Sequence, residues 1–146
     1  MQEYAQTCDG RVVLLEPAFI QQCGYLASIT ESCTNYDFIP IPFSSQTVCS
    51  LQQLTLTLAK RPLILHTPLL LDDHQLIRDL WAEAGLLGQN ALDMLIGADF
   101  LGALKACEFL CAFVALEFVK VEGPSLTKQK RNRLHAKFPW AGSYLF

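Results

Sequence analysis

The sequence predicts an α+β chain, with a small sheet in about the first 45 residues and helices beyond. Three observations carry this. An Asp-Gly pair, Asp9-Gly10, sits between two short β-prone runs. Isoleucines alternate with prolines in "DFIPIPF". From Val48 onward the apolar residues recur at helical spacing.

In "EYAQTCDGRVVLLE" the Cys8-Asp9-Gly10 stretch marks a hairpin, because both turn residues tolerate positive φ. Pro17 then opens a helix carrying Ala18, Phe19, Ile20 and Cys23, with a break at Gly24. "YLASITESC" predicts a second short helix with Leu26 and Ile29 inward. Pro40 and Pro42 cannot donate to a ladder, so Ile39 and Ile41 belong to an edge strand or an extended link. Ser44 or Ser45 caps the next helix, whose inner face is Val48, Leu51, Leu54 and Leu58. Further on, Asp72 and Asp73 are expected as N-caps of a helix from about His74 to Ala84. Its inward residues are Leu76, Ile77 and Leu80, with Trp81 beside them. "GLLGQN" ends it. The stretch from Leu92 to Val119 then reads as two helices hinged near Gly102, ended by Gly123-Pro124-Ser125. Ser125 is expected to cap a last, basic helix before the aromatic "FPWAGSYLF".

Composition narrows the function. The 146 residues are 51% hydrophobic and only 17% charged, against about 25% charged in ordinary globular chains. So apolar a surface needs cover, and a partner protein is the usual cover. A membrane span is not expected: Asp93, Asp99, Lys105, Glu108 and Glu117 interrupt the Leu92–Val119 stretch. Each would cost roughly 2.5–3.5 kcal/mol near a bilayer centre. Met1-Gln2-Glu3 shows neither the basic flank nor the apolar run of a secretory leader. The six cysteines are therefore expected reduced, in cytosol or nucleus. Lys128, Lys130, Arg131, Arg133 and Lys137 lie within ten acid-free residues, while the rest of the chain has six basic residues against 14 acids, a net −8. That run reads as a solvated helix face or as a nuclear-import or phosphate-binding patch.

No catalytic constellation stands out. His66, His74 and His135 are scattered, without a nucleophile elbow or a Cys-His pairing. Asp72, Asp73 and His74 suit a helix start better than a metal cluster. Cys107 and Cys111 are one turn apart but lack a third ligand on that face. No cofactor or metal is expected, and sparse Lys and Arg outside the tail argue against nucleic acid as the main partner.

Binding remains. On a helical wheel Leu104, Cys107, Cys111, Val114 and Phe118 form one apolar stripe. Ala106, Leu110 and Phe113 form a second, and Phe109 and Leu116 widen it. Only Lys105, Glu108 and Ala112 make a polar strip. A sector this broad belongs to the centre of a bundle or to a helix with its own core on one side and a partner on the other. The shortness of the chain favours the second.

The ordered features resemble the Skp1 family of ubiquitin-ligase adaptors, whose fold is a BTB/POZ domain. "TCDGRVVLLE" and "YLASITES" stand where that family has its Ser-Asp-Gly turn, second strand and following helices. "DFIPIPF" is similar to its proline-rich strand, and a long helix follows in both. "GADFLGA", from Gly97 to Ala103, is similar to the family's "AANYLDI". "LCAFVA", from Leu110 to Ala115, is similar to its "TCKTVA", with Cys111, Val114 and Ala115 identical in place. The chain departs from the pattern at Asp99 for Asn and Phe100 for Tyr, and in its basic extension.

The resemblance implies a non-catalytic adaptor in an SCF-like ubiquitin ligase, in cytoplasm or nucleus, with residues 1–122 as the BTB/POZ-like domain and 123–146 as a partner-binding extension. Leu92, Leu104, Cys107, Cys111, Val114 and Phe118 would receive an F-box-type protein, with Leu126, Leu134, Phe138 and Trp140 closing over it. Asp99 and Phe100 inherit the cullin-facing position. A subunit of another F-box assembly without a cullin is the alternative, and self-association in isolation stays open.

Overall fold

The computed structural model describes residues 2–33, 35–61, 64–65 and 70–122, the last five by their backbone alone. It is mixed α and β, with three short strands and six helices among the described residues. The expected hairpin is present. Strand β1 (Glu3–Gln6) pairs antiparallel with β2 (Val12–Leu15), placing Ala5 opposite Val13. The turn differs from the two-residue form: Gly10 N–H donates to the Thr7 carbonyl at 3.0 Å, and only Gly10 takes positive φ, at 78°. Asp9 has another use. Its carboxylate accepts from the Thr7 hydroxyl, from the Ser45 hydroxyl at 2.7 Å and from the Ser45 backbone N–H at 3.2 Å. Those hydrogen bonds, Thr7's first, lower its pKa to about 2.

Helix α1 (Pro17–Gln22) starts with proline at its first turn and buries Phe19 and Ile20. Cys23 interrupts it in extended conformation, and α2 (Gly24–Ser32) follows with Leu26 buried. Strand β3 (Ile39–Pro40) lies parallel to β1, giving the order β2-β1-β3. Its edge position is why Pro40 is tolerated. Helix α3 (Ser45–Lys60) begins at Ser44, whose hydroxyl accepts from Thr47 N–H at 3.2 Å. Val48, Leu51, Leu54 and Leu58 are buried as the period required.

Helix α4 (Leu71–Glu83) starts earlier than its aspartates suggested. Asp72 and Asp73 sit inside the first turn. Asp73 accepts the Leu70 N–H at 2.9 Å, the acid's part in a capping box, so its position is the third residue of the helix and not the cap. Gly85 and Gly88, both at positive φ, turn the chain into α5 (Ala91–Leu101). Asn90 caps α5 by accepting from Leu92 N–H and Asp93 N–H at 3.0 and 3.2 Å. Gly102, at φ 73°, ends it in the left-handed conformation that favours glycine. The last helix, α6 (Leu104–Glu122), leaves from that elbow.

The wheel reading of α6 needs two corrections. Ala112, assigned to the polar strip, is fully buried. Val114, expected to be open without a partner, is only 9% exposed. Phe109, Leu110 and Ala106 are also fully buried, and Trp81 of α4 stacks on Phe113 with centroids 4.0 Å apart. Most of the broad apolar sector therefore faces the chain's own core. One part does not.

Candidate protein-docking groove

The uncovered part lies where α5 and α6 pack side by side. Leu92, Ile96 and Asp99 follow i, i+4, i+7 spacing along one line of α5, with Leu95 beside them. Cys107 and Cys111 face them from the first turns of α6. Together these six residues line a groove of about 300 Å³. Ile96 is 54% exposed and Leu92 is exposed as well, while the two cysteines are half-buried. Large aliphatic side chains left open beside each other, on rigid helices, are the surface a partner's apolar side chains would cover.

The elbow that sets this geometry is itself held. Gly102 packs against Gly24: the Gly24 N–H donates to the Gly102 carbonyl at 3.3 Å, and a Cβ on Gly102 would lie 3.2 Å from the Gly24 nitrogen. Cys23 forms a β-bridge with Ala103. The break between α1 and α2 is thus docked on the break between α5 and α6.

Electrostatically the groove is neutral at its floor and acidic at its edge. Burial is the first cause raising the Cys107 thiol, with Asp99 second. Cys111 is pushed up to about 11, mainly by burial and then by Cys107, Asp99 and Glu108. Buried Cys23, beneath them, is raised to about 12 by burial and by Cys107. At neutral pH these thiols are protonated and behave as small apolar groups, not as nucleophiles. Among the described residues no group of three or more His, Cys, Asp or Glu is placed to hold a metal. No helix among them is long and apolar enough to cross a membrane. A second cleft, of about 400 Å³ near β2 and α1, mixes the polar Gln2, Glu3, Glu16, Gln21 and Thr30 with Leu14, Leu15, Pro17 and Ile20.

Of the residues expected at the F-box-type surface, Leu92, Cys107 and Cys111 come together. Leu104 is 78% exposed but does not line the groove, and Val114 is buried away from it. Phe118's side chain, Leu126, Leu134, Phe138, Trp140 and the basic 128–137 run lie outside the described residues. Asp99 and Phe100, expected as one pair on a separate face, are both exposed but part company. Asp99 joins the groove. Phe100, 41% exposed, turns the other way, its ring 4.9 Å from Tyr25 and 5.5 Å from Phe43. The sequence reading missed Ile96, the most open of the apolar α5 lining residues. Its spacing four residues from Leu92 was the available signal. Compared with protein-family models, curated proteins and solved structures, the chain has no match.

Proposed function

We propose that the chain is a Skp1-like adaptor of BTB/POZ fold, bridging an F-box-type substrate receptor to a cullin in an SCF-like ubiquitin ligase of cytoplasm or nucleus. The observation carrying this reading is the open apolar groove built from Leu92, Leu95, Ile96, Cys107 and Cys111. A helix laid in such a groove is a common mode of recognition, and specific interfaces bury about 1,200–2,000 Å² in total. The ordered resemblance supports it: hairpin, two short helices, proline-bearing edge strand, long helix, then the "GADFLGA" and "LCAFVA" segments on facing helices. In this role the extension, residues 123–146, closes over the docked helix through Leu126, Leu134, Phe138 and Trp140.

Ile96→Lys is the test. It places an ammonium in the groove without touching the core, so affinity for an F-box helix peptide should fall at least about tenfold, or 1.4 kcal/mol. Thermal stability should hold within a few degrees. Loss of stability together with binding would make this face core and end the reading. The parting of Asp99 from Phe100 favours a second reading, a subunit of another F-box assembly (a kinetochore complex, for example) that binds no cullin. Titration with a cullin's amino-terminal domain separates the two: binding abolished by Phe100→Glu supports the ligase, and no binding supports the alternative.

A further inference from the structure

We propose that the basic carboxy-terminal segment, residues 123–146, occupies the α5/α6 groove of its own chain until a partner displaces it. The inference rests on reading the groove as a helix-docking surface and adds a regulation to it. The first argument is charge. The groove presents an apolar floor with Asp99 on its lining. Glu108, one residue after Cys107 on α6, is exposed, and its charge is felt at Cys111. Among the described residues no cation pairs with either carboxylate. The segment has the complementary make-up: Lys128, Lys130, Arg131, Arg133 and Lys137 with no acid, interleaved with Leu126, Leu134, Phe138 and Trp140.

The second argument is reach. The segment follows directly on Glu122, the last residue of α6. Returning from Glu122 to Cys107 along the helix spans about 22 Å, at about 1.5 Å per residue. A dozen residues of extended chain cover about 40 Å. Gly123-Pro124 is a helix-stop signal in the sequence, directly after α6. Leu134 and Phe138 therefore come within range of the floor. A partner helix with more apolar contact would displace the segment.

The groove thiols report occupancy without any partner. Alkylation of the full chain with iodoacetamide, read by peptide mass, gives a rate for each cysteine. Cys8, Cys33 and Cys49 are exposed and serve as references. A quadruple charge reversal, Lys128→Glu, Lys130→Glu, Arg131→Glu and Arg133→Glu, should expose the groove and speed Cys107 and Cys111 several-fold, with the references unchanged. High salt should do the same to the wild type. Added acids near a thiol suppress its ionisation and slow alkylation, so a faster rate reports exposure and not altered acidity. Equal rates in variant and wild type would overturn the proposal. Protection that grows with protein concentration would overturn it too, in favour of a second copy as occupant. F-box peptide titration of the same proteins judges the adaptor reading separately.

Discussion

The α5–α6 pair has one sealed face and one open face, made from similar residue types. On the sealed face Gly97 brings α5 so close to α3 that an added Cβ would meet Leu51 Cδ1 at 2.9 Å and Thr47 Cγ2 at 3.3 Å. Ala98 and Leu101 are fully buried there, and Phe109, Leu110 and Ala112 of α6 are buried with them. On the open face Leu92 and Ile96 have no such neighbour and stay exposed. Apolar content does not separate the faces, since leucine lines both. Close approach does, and it depends on a residue with no side chain.

The largest test of that contrast is truncation on each face. Phe109→Ala should cost about 3–5 kcal/mol by loss of packing and the cavity left behind, while Ile96→Ala should stay within about 1 kcal/mol. Denaturant unfolding measures both, and similar costs would erase the distinction. Next comes the elbow between the faces. Gly102→Ala forces a side chain into left-handed backbone against Gly24, at a cost of about 1–3 kcal/mol. Its thermal midpoint should fall, and the Cys107 alkylation rate should change as the groove is reshaped. An unchanged midpoint would mean that the elbow adapts freely. The smallest effect belongs to the open face alone. Asp99→Asn removes a carboxylate that disfavours the Cys107 and Cys111 thiolates, so both should ionise at lower pH than in the wild type. Thiolate absorbance across a pH titration reads this. No downward movement would place Asp99's charge outside the groove.

Much of the fold was legible because local chemistry decided it. The Asp9-Gly10 hairpin, the Ser44 cap, the Val48–Leu58 stripe and the Gly102 break each depend on neighbours a few residues away. The start of α4 was misplaced because Asp suits both the cap and the third helical position, and the sequence does not say which. The groove was legible only in halves. A wheel gives angles within one helix, so it grouped Leu104, Cys107, Cys111 and Val114, but not which part of that stripe α5 would leave open. Alanine carries no polarity signal, which is why Ala112 fell on the wrong side. Asp99 and Phe100 are adjacent in sequence, yet about 100° apart around α5, and that rotation sent them to different surfaces.

The pairing of Gly24 with Gly102 also bears on the order in which the molecule can assemble. The two sites are separated by roughly 80 residues, so on a ribosome adding about 5–20 residues per second the second follows the first by about 4–16 s. Throughout that interval the α1–α2 break waits with the Gly24 N–H unclaimed and Cys23 uncovered. The amino-terminal third is thus born with a vacant joint. What closes it is the elbow of α5 and α6, and in closing the joint that elbow sets the angle at which the groove opens.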